Sequence, residues 1–140
     1  MKQLFAIGIM LLSLMGCGNR NAKNSAESAA ASNPDAAVEV YVFHAAQRCA
    51  TCKAIDAVVA EVLDNDFADD VKAGRVVLRD VDGSKPENRA HVEKYEIVST
   101  SLLLDAKGNV TNLTNDAFQY ARSNPDKLKE ILRAEISKAL

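Results

Sequence analysis

The chain has 140 residues, of which 48% are hydrophobic and 26% are charged, and its formal net charge at pH 7 is -2. This length fits one globular domain together with an export segment. Basic and acidic side chains nearly balance, at 17 and 19. This argues against nucleic acid as a partner, because phosphate recognition needs a clustered basic face. The three cysteines, Cys17, Cys49 and Cys52, are too few to staple a small domain with disulfides.

Residues 1–17 have the pattern of a signal peptide. Lys2 supplies a positive charge, and the apolar run at 4–14 is too short to span a bilayer comfortably. The motif LMGC that ends at Cys17 resembles the bacterial lipobox, which implies a cysteine diacylated through its sulfur that becomes the mature N-terminus. Acyl chains on Cys17 would anchor the protein stably at the membrane. The alternatives are an ordinary signal peptide with an incidental cysteine, or an N-terminal helix.

The segment 18–37 is rich in Asn, Ser and Ala and contains almost no large apolar side chain. Such a segment cannot bury enough surface to offset the entropy lost on ordering, so we expect a flexible tether. By analogy with lipoprotein sorting in enterobacteria, Gly18 in place of aspartate favours the outer membrane. The predicted arrangement is a domain at 38–140, exported to the periplasmic side of the cell envelope and held there by lipid.

In the first half of this domain, the sequence pattern predicts a strand, a helix, a second strand and a second helix. Valines alternate with other side chains over 38–43, which is typical of a strand. The apolar spacing then becomes helical, and one face carries Ile55, Val58, Val59, Val62 and Leu63. Residues 75–81 form a short buried type of strand. The capping box at 84–87 predicts a helix with Ser84 as its N-cap, through about Tyr95.

In the second half of the domain, the sequence pattern predicts a hairpin and a last helix. Residues 101–105 form a third strand, 106–109 a turn, and 110–113 the return strand. Asn124-Pro125 opens a helix whose apolar stripe is Leu128, Ile131, Leu132, Ile136 and Leu140. This order predicts an α/β fold, a three-layer sandwich with a four-stranded mixed sheet flanked by helices. The first two strands are expected to be parallel and joined by a right-handed crossover.

A C-x-x-C motif, Cys49-Ala50-Thr51-Cys52, lies between the first strand and the first helix, as in thioredoxin-like redox domains. The element order, the size and this placement resemble the thioredoxin superfamily over nearly all of 38–140. The segments YVFH at 41–44 and RCATCK at 48–53 also resemble a narrower group. These are small thioredoxin-like proteins catalogued as a subunit of a nitrophenyl-compound nitroreductase in arsenic-resistance clusters.

The resemblance implies a redox-active disulfide with no other cofactor. Electrons would come from a membrane donor and pass to a client protein disulfide or a reductase complex. The sequence departs from the superfamily at two places. Ser101, after Thr100, replaces the cis-proline before the third strand; a cis bond there would cost about 2.5–4 kcal/mol, so we expect trans. The buried acid below the cysteine pair is replaced by Phe43 or Val42, which leaves proton handling to His44 or a water.

Thiol–disulfide exchange needs a thiolate and a second thiol within reach. At the start of a helix, unpaired N–H groups and the helix dipole stabilise a negative charge on Cys49, and the adjacent positive charge of Arg48 adds to this. We therefore predict that Cys49 is the attacking nucleophile and Cys52 the resolving thiol. His44 is either a proton carrier beside the pair or a polar residue that ends the first strand.

Other readings of the pair stay open. Cys49, Cys52 and His44 could bind a metal with one open position, although structural zinc usually has four ligands. The pair could be a permanent structural disulfide. As vicinal thiols, the two cysteines could instead bind trivalent arsenic. In a purely structural subunit, the pair could be dispensable. Outside this site, we expect His91 to face solvent, and Tyr95 and Phe118 to lie in the core.

Overall fold

A computed structural model describes residues 34–140 of the chain. The predicted signal peptide, the lipobox Cys17 and all but the last residues of the predicted tether lie outside the described residues. In residues 34–140, no helix is both long enough and apolar enough to cross a membrane.

The described chain forms four strands and five helices, and a single turn of 3₁₀ helix at Pro86–Asn88 precedes the third helix. The strands are β1 Val38–His44, β2 Val76–Asp82, β3 Ser101–Ala106 and β4 Asn109–Asn112. The helices are α1 Ala50–Asp66, α2 Ala68–Lys72, α3 Arg89–Lys94, α4 Thr114–Tyr120 and α5 Pro125–Ala139.

The four strands form one mixed sheet in the order β2-β1-β3-β4. β1 and β2 are parallel, whereas β3 runs antiparallel to both β1 and β4. The predicted fold class, an α/β sandwich with a four-stranded mixed sheet flanked by helices, is therefore confirmed. Because β1 is central and a short loop at 45–49 joins it to α1, the C-x-x-C motif lies just beyond the end of a strand that is paired on both sides.

The larger core lies between one face of the sheet and the helices α1, α4 and α5. Alternate residues of β1 point into it, as the period of a strand requires. The predicted apolar face of α1 is confirmed, since all five of its members are buried. In α5, Leu128, Leu132 and Ile136 are fully buried, but the predicted stripe ends there, because Leu140 follows the helix and is about half exposed.

The opposite face of the sheet carries a smaller core of Tyr41, Phe43, Val81 and Leu103, covered in part by Tyr95. The Tyr41 ring stacks on Phe43 and is tilted against Tyr95. The prediction that Tyr95 belongs to the core is therefore confirmed.

Buried polar groups border this smaller core. Arg79 donates two hydrogen bonds to Glu39 Oε1, and Tyr41 donates one to Glu39 Oε2. Asp105 accepts a hydrogen bond from the hydroxyl of Tyr95. Since charged groups are costly to bury unpaired, these contacts explain how Glu39 and Asp105 are accommodated beneath the surface.

The predicted helix start at Ser84 is wrong. The Ser84 hydroxyl and its N–H both donate to Asp82 Oδ1, at 2.6 and 3.0 Å, so Ser84 closes a turn after β2 instead of capping a helix. The chain then forms the 3₁₀ turn, and α3 begins only at Arg89.

Several other predictions need correction. His91 is buried against Tyr41 instead of facing solvent, and Phe118 is exposed on α4 instead of lying in the core. The helices α2 and α4 were not predicted, because each is short: α2 has no buried residue, and α4 has only Ala117. The predicted bounds of β2 and β4 are each off by one residue.

Candidate functional site

The Cys49–Cys52 pair lies at the start of α1. Cys49 is the N-cap of this helix, with an extended backbone at φ -71° and ψ 166°, and its sulfur accepts the N–H of Cys52 at 3.1 Å. The two cysteines form a disulfide with a Cα–Cα distance of 5.1 Å. The first N–H groups of a helix have no partner within the helix and favour negative charge. The position of Cys49 therefore stabilises a thiolate after reduction.

The two sulfur-bearing residues differ in exposure. Cys49 is exposed, whereas Cys52 has only 6% of its surface accessible and packs beneath the start of the helix. A molecule in solution can therefore reach Cys49 much more easily than Cys52. This asymmetry fits the predicted roles of Cys49 as the attacking thiol and Cys52 as the resolving thiol.

Thr100 is the residue that the structure brings to Cys52 from outside the motif. Its hydroxyl lies 3.5 Å from the Cys52 sulfur. The predicted site residue Ser101, next along the chain, uses its own hydroxyl to donate to the carbonyl of Ser99. Sequence reasoning passed over Thr100, although its place directly before Ser101 was the available signal. On the same loop, Val98 lies two residues before Thr100 and is 97% exposed.

Arg48 precedes Cys49, but its guanidinium is bonded to two carboxylates. Nη1 donates to Asp56 in α1, and Nη2 donates to Asp80 Oδ1 in β2 at 2.6 Å. The Arg48 side chain is only 25% exposed in this position. The charge that the sequence assigned to the stabilisation of the Cys49 thiolate is therefore shared with two anionic partners. Sequence reasoning missed both carboxylates.

His44 ends β1 and is held by the same carboxylate. Its Nε2 lies 3.0 Å from Asp80 Oδ1, and its Nδ1 lies 2.9 Å from the carbonyl oxygen of Ala45. Within residues 34–140, no three His, Cys, Asp or Glu side chains are grouped so as to hold a metal ion. The alternative metal site of Cys49, Cys52 and His44 is thus not assembled in the described part of the chain.

Asp56 is a partly buried acid in the second turn of α1, four residues after Cys52, a spacing that brings side chains together on one face of a helix. Burial raises the pKa of the Asp56 carboxyl, Arg48 opposes this, and the charge of Asp80 adds to it, so that the pKa lies above its usual value. An acid with a raised pKa at this place is a candidate for the proton handling that the sequence left to His44 or a water.

A cavity of about 360 Å³ lies near the start of β1 and the β3–β4 turn, whereas the cysteine pair follows the end of β1. Its lining residues are Pro34, Ala36, Glu39, Lys94, Asp105, Lys107 and Gly108. No predicted site residue lines this cavity, so it is separate from the Cys49–Cys52 pair.

No protein-family model matches the chain, and no curated protein matches it. Solved structures do match. One of them, described as "Structure of a malarial protein", is 17% identical, covers 69% of this chain and 94% of its own, and has a TM-score of 0.46. A likeness of this size bears on neither family nor function.

Proposed function

We propose that the protein is a thioredoxin-like thiol–disulfide redox protein that carries electrons through Cys49 and Cys52. One observation carries the proposal: a disulfide at the N-terminus of α1 in which the N-cap cysteine is exposed and its partner is buried. Thiol–disulfide exchange uses this asymmetry. The exposed sulfur attacks the client disulfide, and the buried sulfur then resolves the mixed disulfide. The sheet, with its parallel first pair and antiparallel hairpin, agrees with the resemblance to the thioredoxin superfamily.

The proposed reaction has two displacements at sulfur. The Cys49 thiolate attacks a client disulfide, a bond forms between Cys49 and one client sulfur, and the other client sulfur leaves as a thiolate. The Cys52 thiol then loses its proton and attacks the Cys49 sulfur, which releases the second client sulfur and forms the Cys49–Cys52 disulfide. Two electrons thus pass to the client, and a dithiol donor of the envelope restores the reduced pair by the same exchange in reverse.

The midpoint potential of the couple tests this function. The soluble domain is equilibrated with thiol buffers of defined potential, and the fraction of reduced pair is measured by thiol alkylation. A reversible two-electron couple is expected; a value near roughly -270 mV indicates a reductant, and one near -120 mV an oxidant. Cys52→Ser is expected to trap a mixed disulfide with a client, whereas Cys49→Ser is expected to trap none. Absence of a reversible couple would contradict the proposal.

We also propose that the protein works in the cell envelope, anchored by lipid on Cys17. The support is the LMGC motif after a charged and apolar leader. Cys17→Ser is expected to abolish acyl labelling and to move the protein from the membrane fraction to the soluble fraction. Within the envelope, a nitroreductase-type complex is the proposed recipient of electrons, with any flavin held by another subunit. Retention of acyl label in the variant would contradict the anchor.

A second candidate function is the binding of trivalent arsenic. The observation that favours it is that Cys49 and Cys52 lie 5.1 Å apart between their Cα atoms, three residues apart at the start of α1, so reduction would leave two thiols close together. Arsenous acid would form two S–As bonds and release two waters, without any change in oxidation state. When the reduced protein is titrated with arsenite, both free thiols should disappear at one arsenic per protein. Cys52→Ser has only one of these thiols, so it should not form this one-to-one complex through two S–As bonds.

A further inference from the structure

One carboxylate oxygen holds both ends of the loop that leads to the redox pair. Asp80 Oδ1 lies 3.0 Å from His44 Nε2 and 2.6 Å from Arg48 Nη2. His44 ends β1 and Arg48 directly precedes Cys49, and the residues between them, 45–47, are exposed and outside regular structure. Asp80 therefore fixes, from the neighbouring strand, the part of the loop that places Cys49 at the N-cap of α1.

A second carboxylate completes this arrangement from the other side. Asp56 in α1 accepts a hydrogen bond from Arg48 Nη1, while Asp80 in β2 accepts one from Nη2. The guanidinium thus bridges β2 and α1 beside the Cys49 loop. Arginine suits this role, because its planar group donates in two fixed directions at once. We refer to Asp56, Asp80 and Arg48 as the carboxylate clamp.

The clamp also decides where the positive charge of Arg48 acts. An unpaired arginine next to Cys49 would favour the thiolate and hence the reduced form of the pair. In the clamp, one positive charge meets two carboxylates, so little of it remains to stabilise negative charge on the sulfur. A less stable thiolate makes reduction of the disulfide less favourable, and a pair that is harder to reduce is a better reductant.

We propose that Asp80 is a positioning residue of the redox site. Through Arg48, and together with Asp56, it makes the Cys49–Cys52 couple more reducing than an unpaired Arg48 would leave it. This inference rests on the proposed thiol–disulfide function and adds to it the residues that tune the potential of the pair.

The test is the midpoint potential of matched variants. Asp80→Asn keeps the size of the side chain and removes its charge, so it should shift the equilibrium with a thiol buffer roughly three- to tenfold toward the reduced protein. For a two-electron couple this is about 15–30 mV toward oxidant. Asp56→Asn should shift it in the same direction. Asp82→Asn is the matched control, because Asp82 lies in the same strand but bonds to Ser84.

A double variant tests whether the effect passes through Arg48. In the Asp80→Asn background, Arg48→Gln should return the potential close to the wild-type value, since the released positive charge is then gone. Asp80→Glu should keep most of the wild-type potential. The Asp80 side chain is 57% exposed, so Asp80→Asn should fold, and circular dichroism checks this.

The outcomes separate the two levels of the proposal. If the wild-type protein shows no reversible couple, the proposed function itself fails. If the couple is present but Asp80→Asn leaves the potential unchanged, or Asp82→Asn moves it equally, the role of the clamp is overturned. A shift in Asp80→Asn that persists when Arg48→Gln is added would also overturn it, because the effect would then not pass through Arg48.

Discussion

The Thr100 hydroxyl lies 3.5 Å from the buried sulfur of Cys52, across the gap between the loop before β3 and the first turn of α1. The two sulfurs of the pair thus have different polar partners: Cys49 accepts a backbone N–H of its own helix, and Cys52 meets a side chain from another element. In the reduced protein, the Cys52 thiol can donate its S–H to this hydroxyl, a hydrogen bond that the disulfide sulfur cannot donate because it carries no proton. Thr100 is therefore placed to stabilise the reduced pair.

Thr100→Val should make the couple more reducing, because it removes this hydroxyl while keeping a side chain of similar shape. A hydrogen bond of this kind contributes about 0.5–1 kcal/mol net, which corresponds to about a two- to fivefold change in the equilibrium with a thiol buffer. Thr100→Ser, which keeps the hydroxyl, serves as the control and should stay near the wild-type potential. A shift toward oxidant in Thr100→Val would contradict the role given to the hydroxyl.

In the reduced protein, Cys49 should react with iodoacetamide roughly tenfold faster than Cys52, or more. The physical reasons are the exposure of Cys49, its place at the helix N-terminus and the burial of Cys52. Because both cysteines fall in one tryptic peptide, the rates are best measured separately in Cys49→Ala and Cys52→Ala. Equal rates in these two variants would remove the basis for assigning one cysteine as nucleophile and the other as resolving thiol.

The sequence predicted those features that depend on local pattern. The helical face from Ile55 to Leu63, the leucine-rich β3 and the C-x-x-C at the start of a helix each show their period or spacing within about a dozen residues. Burial then follows, because a long amphipathic helix has only one way to cover a sheet. The site residues Cys49 and Cys52 were within reach for the same reason, since they are neighbours in the chain.

The rest of the site depends on distant residues. Asp80 reaches the Cys49 loop only because β2 pairs in parallel with β1, in a register that sets Val42 opposite Asp80 and His44 opposite Asp82. Thr100 reaches Cys52 only because β3 lies on the other side of β1. No local pattern encodes either approach. The sequence predicted Arg48 as a site residue, but its carboxylate partners come from α1 and β2. They reduce the stabilisation that its positive charge can give to a Cys49 thiolate.

Leu132→Ala should destabilise the domain by about 2–5 kcal/mol, whereas Phe118→Ala should cost below about 1 kcal/mol. Leu132 is fully buried between α5 and the sheet, while Phe118 is 44% exposed on α4. Sequence reasoning placed both in the core, because hydrophobicity alone cannot show which side of a short helix meets the sheet. Urea unfolding monitored by circular dichroism measures the two free energies. A cost for Phe118→Ala that equals the cost for Leu132→Ala would contradict the exposed position.

The burial of His91 should make the stability of the domain depend on pH. Burial lowers the pKa of His91, and the charges of Lys94 and Arg79 lower it further, against a smaller opposing effect of Glu39. In the unfolded chain the pKa is about 6.5, so the unfolded state binds the proton first as the pH falls. The free energy of unfolding should therefore decrease as the pH falls through about 6.5, and level off below the pKa of the folded state.

His91→Phe tests this dependence, since it keeps an aromatic ring against Tyr41, whose centroid lies 5.6 Å from that of His91. Urea unfolding at about pH 7.5 and about pH 5.5 gives the loss of stability in each protein. Because the variant has no proton to bind at this position, its loss should be smaller than that of the wild type. Among the described residues, His91 Nε2 is the buried side-chain polar atom without a hydrogen-bond partner, so the substitution removes this unpaired group. If wild type and variant lost stability equally between the two pH values, the neutral, buried state of His91 would be wrong.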